Sequence, residues 1–114
     1  MKPDAFVMTL LFDYYGELLT EKQKTCFDLY YNQDLSLSEI AEEAGVTRQG
    51  VHDTLARAEA VLLRMEEKTG CIARARRTQQ ALDEITAAAR TLQGVPGAED
   101  AARRILSAAG KIKE

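Results

Sequence analysis

The chain is 114 residues long, with 46% apolar residues, 29% charged residues and a formal net charge of −3. That length suits a small folded domain, and the apolar share excludes a disordered chain, which has too little to bury. A membrane span is excluded as well, because no apolar run approaches the ~18 residues a bilayer demands.

The N-terminus, Met1-Lys2-Pro3-Asp4, leads into an apolar stretch broken at Asp13, with no small-residue cleavage site behind it. A secretory signal is therefore not expected, and a cytoplasmic location is. Cys26 and Cys71 are too few for a disulfide framework and lack metal-ligand spacing. The single histidine, the absence of a phosphate-cradling glycine loop and the absence of a nucleophile–base constellation leave no catalytic site to assemble. Glu42-Glu43 and Glu66-Glu67 are neighbours on helices, so each pair points to different faces and reads as solvated charge. No enzyme activity, cofactor or metal is expected.

Charge is unevenly distributed. Residues 1–45 hold nine acids and three bases, a net of −6, residues 46–70 balance at four each, and residues 71–114 hold eight bases and five acids, a net of +3. Only the C-terminal third can supply the basic surface that displaces counterions from phosphates. The acidic first half repels phosphate and attracts a basic partner.

Alanine is abundant and no strand-like alternation persists, so the chain reads as all-α, a helical bundle. Asp4 caps a first helix running to about Gly16, with Phe6, Leu10, Leu11 and Tyr14 on one stripe. Thr20-Glu21-Lys22-Gln23 is a capping box opening a helix to about Tyr31, which buries Cys26, Phe27 and Tyr30 or Tyr31. After the polar turn Asn32-Gln33-Asp34, Ser36-Leu37-Ser38-Glu39 is a second capping box, and its short helix ends at Ala44-Gly45, glycine being the residue that closes helices in the left-handed conformation. Thr47 caps a fourth helix whose stripe, Val51, Leu55, Ala58, Leu62 and Met65, has the 4-3-4-3 spacing of a narrow seam. Gly70 stops it, with Cys71 or Ile72 folding back. A fifth helix over about 72–92 turns Ala75, Leu82, Ile85, Ala89 and Leu92 inward. Gly94-Val95-Pro96-Gly97 breaks the chain, and a last helix over about 98–109 turns Ala98, Ala101, Ile105 and Ala108 inward. No internal repeat is evident. Two parts are expected: residues 1–70, and a helical extension over 71–114 with its break at 94–97.

Leu37 to about Ala58 has the pattern of a helix-turn-helix. Ile40 and Ala41 face inward, Ala41 small because the second helix crosses close by. Gly45 makes the turn, Val46 plugs the corner, and Val51 and Leu55 pack back. All five are expected to be buried together.

Residues Leu19–Leu55 resemble region 4 of bacterial sigma factors. A closer resemblance covers about residues 8–77, two thirds of the chain. Leu11-Phe12-Asp13-Tyr14-Tyr15, Leu18-Leu19-Thr20-Glu21-Lys22-Gln23, Leu29-Tyr30-Tyr31, Leu37-Ser38-Glu39-Ile40-Ala41-Glu42-Glu43, Thr47-Arg48-Gln49-Gly50-Val51-His52-Asp53 and Glu66-Glu67-Lys68-Thr69-Gly70 are together similar to the YlxM family of helix-turn-helix proteins. Genes of that family often lie beside those for the signal recognition particle GTPase and its receptor. The resemblance therefore implies a regulatory or accessory role in that pathway, with the particle's protein or its RNA as partner. Gly50 and His52 stand where the family commonly has an alanine and an aromatic residue, and the stretch beyond Arg77 does not share the pattern.

In a helix-turn-helix the first side chains of the second helix reach base edges. Here these are Arg48, Gln49, His52 and Asp53, with Arg57 further along. Arg48 can read guanine and Gln49 adenine, which makes a DNA-binding regulator the alternative function, whereas Asp53 repels phosphate. Arg74, Arg76 and Arg77 form the densest basic cluster, Arg74 and Arg77 sharing one face. The first helix holds more large apolar residues than one face can bury, and the seam of the fourth helix adds to it, so a homodimer through long helices is expected.

Overall fold

The computed structural model describes residues 4–112. They form six α-helices and, among the described residues, no strand: α1 (Ala5–Tyr15), α2 (Glu21–Phe27), α3 (Leu37–Ala44), α4 (Arg48–Thr69), α5 (Cys71–Leu92) and α6 (Glu99–Ile112). A 3₁₀ turn, Gly16–Leu18, follows α1, and a π-helical turn, Asp28–Asn32, extends α2. The chain divides into two compact units, Met1–Ile72 and Ala73–Glu114.

The helix starts follow local chemistry. Asp4 Oδ1 accepts from the N–H groups of Phe6 and Val7 at 2.9 and 3.3 Å. Thr20 with Gln23, and Ser36 with Glu39, close reciprocal capping boxes, and Thr47 Oγ1 accepts from the Gly50 N–H at 2.9 Å. The bonds from the Ser36 backbone and hydroxyl hold the Glu39 carboxyl below its ordinary range. Gly45 and Gly70 end α3 and α4 at φ +71° and +63°, a conformation that costs a Cβ-bearing residue about 1–2 kcal/mol.

In the first unit α4 is the central element, packed by α1, α2 and α3. Val51, Leu55, Ala58 and Leu62 are buried along it, with Met65 half-buried. The seam is thus consumed inside the unit's own core. Phe27 is fully enclosed, stacked on Phe12 with ring centroids 4.6 Å apart and against Tyr31 at 4.5 Å. Cys26 is buried beside it, and Ile72, not Cys71, provides the buried contact after Gly70. Tyr30 and Tyr31 are half-buried.

Several inward faces differ from the sequence expectation. On α1 the buried stripe is Met8, Leu11 and Tyr15, whereas Phe6 is 67% and Tyr14 48% exposed. This helix is apolar nearly all round, so period alone fits more than one face. On α5 Leu82 and Ala89 are buried, while Ala75, Ile85 and Leu92 are exposed. On α6 the buried residues are Ala102 and Ala109, with Ala98 and Leu106 half-buried and Ala101, Ile105 and Ala108 exposed. The actual stripe of α6 is one residue, about 100° around the axis, from the expected one. Both stripes are apolar, which is why the pattern did not separate them.

Candidate functional site: the helix-turn-helix face and the start of the fifth helix

The helix-turn-helix comprises α3, the turn at Gly45 and the first turns of α4. Ile40, Ala41, Val51 and Leu55 are buried at the crossing. Val46 is not: it is 45% exposed. Its N–H bonds back to the Ala41 carbonyl at 3.0 Å as part of the α3 closure, which fixes the backbone and leaves the side chain over the corner instead of in it. The result is a groove of about 420 Å³ between α2, α3 and α4, walled by Cys26, Leu29, Ile40, Val46 and Val51. Cys26 is nonetheless buried, and its Sγ donates to the Val51 carbonyl at 3.8 Å. Burial pushes the Cys26 thiol up, with the Glu59 carboxylate adding in the same direction.

The would-be reading residues Arg48, Gln49, His52 and Asp53 are all exposed on the first two turns of α4. They are not equivalent in their freedom. Gln49 Nε2 donates to Asp53 Oδ1 at 2.9 Å, and His52 Nδ1 lies 3.4 Å from the same oxygen. The amide that would pair with adenine is turned to a carboxylate on its own helix, and that carboxylate stands on the surface a phosphate backbone would approach. The i, i+4 spacing of Gln49 and Asp53 is the sequence signal for this bond. Arg57 is exposed a turn beyond Asp53, nine residues from Arg48 and thus roughly half a revolution around the axis from it. A Cβ added at Gly50 would meet Thr47 Oγ1 at 3.1 Å, the atom that caps the Gly50 N–H, so an alanine there requires that oxygen to give by a few tenths of an ångström.

Arg74, Arg76 and Arg77 are exposed on α5, in the second unit. The helix is continuous through all three, so Arg74 and Arg77 share a face and Arg76 projects from the adjoining one. The seven basic and polar candidates therefore fall into two groups, one per unit. Among the described residues no cluster of His, Cys, Asp and Glu could hold a metal ion, and no helix is long and apolar enough to cross a membrane.

Comparison with known proteins matches residues 3–96 to the family described as "Putative helix-turn-helix protein, YlxM / p13 like", UPF0122. The match extends past Arg77 through α5, further than the motifs alone indicated, and stops short of α6. A UPF0122 protein of Desulforamulus reducens is 53% identical over 78 residues, 68% of this chain and 67% of that one. One of a Thermoanaerobacter species (strain X514) is 49% identical over 85 residues, 75% of this chain and 73% of its own. One of Symbiobacterium thermophilum is 45% identical over 82 residues, covering 72% and 77% respectively.

Proposed function

The chain belongs to the UPF0122 family of YlxM/p13-like helix-turn-helix proteins, and from that premise we propose that it is an accessory regulator of the signal recognition particle pathway that contacts the particle's RNA through Arg74, Arg76 and Arg77. The observation that carries this reading is the state of the reading helix. Its Gln49 amide is engaged by Asp53, and an exposed carboxylate stands among its first residues. A duplex reader gains most of its affinity from phosphate contacts, and this face offers Arg48 with few supporting bases. The three exposed arginines of α5 are the denser phosphate-facing feature. The pathway itself comes from the family resemblance and its gene neighbourhood.

Gel-shift titration against the particle RNA and against random duplex DNA, each at two salt concentrations, tests the proposal. Replacing Arg74, Arg76 and Arg77 by alanine together weakens RNA binding and flattens its salt dependence, and Arg48→Ala leaves it unchanged. RNA binding that is indifferent to the triple change overturns the assignment. Binding to the particle's protein with none to its RNA moves the contact to the protein.

A second reading is DNA binding by α4, favoured by the exposure of Arg48, Gln49 and His52 at the helix start. Tight binding to one specific duplex, lost in Arg48→Ala, selects it.

A further inference from the structure

When α5 and α6 are laid in register, the two helices carry one pattern twenty residues apart. Ala81-Leu82-Asp83-Glu84-Ile85 corresponds to Ala101-Ala102-Arg103-Arg104-Ile105, and Ala88-Ala89 with Leu92 corresponds to Ala108-Ala109 with Ile112. Burial follows the same register. Leu82 and Ala89 are buried on α5, as are Ala102 and Ala109 on α6. Beside each buried stripe runs a second, exposed one: Ala81, Ile85, Ala88 and Leu92 on α5, and Ala101, Ile105, Ala108 and Ile112 on α6. Ile85, Leu92, Ile105 and Ile112 are 46, 37, 38 and 61% exposed. The repeat is not evident from sequence alone because only a few positions are identical. What is shared is the order of apolar faces.

The charges at equivalent positions are reversed. Glu84 on α5 and Arg104 on α6 each precede the central isoleucine and border the exposed stripe. A surface with one acidic and one basic copy of the same stripe is complementary to itself when the helices are exchanged. The buried residues of this unit are one leucine and three alanines. So small a core falls short of what helices need to hold together unaided, and segments of this size normally rely on oligomerisation.

We propose that the exposed stripes of α5 and α6 are the contact surface for a second copy of this chain, α5 of one copy lying along α6 of the other, so that two helix pairs complete a four-helix bundle. Exchange brings Glu84 of each copy beside Arg104 of its partner. Each stripe runs from its first alanine to its last large residue, about 17 Å, and a pair of helices is about 20 Å wide. Each face thus covers roughly 340 Å² and the two together roughly 680 Å², the size of a weak, transient contact and not of a standard interface, which corresponds to a dimer that forms only at tens of micromolar. α5 lies within the stretch matched to the family and α6 beyond it.

Sedimentation velocity of the full chain tests it. The wild type sediments at about 25 kDa, twice the 12.6 kDa of the chain, at tens of micromolar, and Ile85→Glu with Ile105→Glu sediments as monomer. Phe6→Glu with Tyr14→Glu, on the other exposed apolar surface, leaves the dimer intact. Glu84→Arg alone weakens the dimer at least tenfold, and adding Arg104→Glu restores it. These two surface changes decide the matter even if the isoleucine variant fails to fold. A monomeric wild type, a dimer lost only through the Phe6 and Tyr14 changes, or a charge exchange that does not restore association overturns the proposal.

Discussion

Tyr15 Oη donates to Glu66 Oε1 at 2.7 Å and lies 2.6 Å from Thr69 Oγ1, joining the end of α1 to the end of α4 across 51 residues of sequence. The same Glu66 oxygen accepts the Ile72 N–H at 3.0 Å. One carboxylate therefore fastens the first helix and also satisfies a first-turn donor of α5. Tyr15→Phe keeps the ring and loses the phenol. It should cost about 1.5–3 kcal/mol, the value of hydrogen bonds to a charged group, read from urea unfolding. Glu66→Gln should cost less, because an amide oxygen still accepts. Near-zero loss in Tyr15→Phe would show that the clamp contributes nothing.

The helix-turn-helix crossing has one strong and one weak position next to each other in the pattern. Ile40 is 2% exposed and Val46 is 45% exposed. Ile40→Ala should cost about 2–5 kcal/mol through lost contacts and a cavity, and Val46→Ala under about 0.5 kcal/mol, the surface range. Thermal melts of the two variants give the comparison. Equal losses would place Val46 in the core after all.

Asp53 is the main electrostatic obstacle to a duplex on this face. Asp53→Asn keeps an oxygen for the Gln49 amide and removes the charge. At about 6 Å in water one such repulsion is worth about 0.7 kcal/mol, so non-specific duplex affinity should rise about threefold at low salt, measured by fluorescence anisotropy. The RNA binding proposed for the α5 arginines should not change. An unchanged duplex affinity would mean that DNA never approaches α4.

Two phenols set an alkaline limit. Burial, with the Glu59 carboxylate that accepts from it, pushes the Tyr31 hydroxyl well up, and burial foremost does the same for Tyr15. The folded state thus holds both as neutral phenols, and the unfolded chain ionises them near their ordinary value of about 10. Their contribution is complete below pH about 10 and is lost as pH rises beyond it. The melting temperature should fall above pH 10 and fall less steeply in Tyr31→Phe. A flat profile there would contradict the burial of both groups.

What was legible in the sequence is what is local. Asp4, Thr20 with Gln23, Ser36 with Glu39, Thr47, Gly45 and Gly70 each act within four residues, and each performs the role its type and spacing indicate. The stripe of α4 was legible because polar residues flank it on both sides. The inward faces of α1, α5 and α6 were not, because the competing stripe in each is also apolar. On α1 the deciding partner, Glu66, is 51 residues away. The π-helical turn at Asp28–Asn32 also left no advance sign. It is held by Asp28 accepting from the side chains of Asn32 and Gln33, which keep its carboxyl below the usual range. At the candidate site the residues were identified by position, but the bond that ties Gln49 to Asp53 decides what they can touch, and their i, i+4 spacing permits that bond without fixing the rotamers that make it.

Cys26 gives the protein a clock of its own. Its thiol is buried between α2 and α4 and hydrogen-bonded to the backbone of α4, whereas Cys71 is only half-buried. An alkylating reagent in excess therefore reaches Cys71 first, and reaches Cys26, 6% exposed at the groove wall, freely only in the fraction of molecules in which those two helices have parted. When reclosing outruns the reagent, the modification rate of Cys26 divided by that of a free thiol is the opening constant of the junction. The same ratio, followed as RNA or DNA is added, reports whether a ligand tightens the helix-turn-helix or leaves it untouched, with no label introduced.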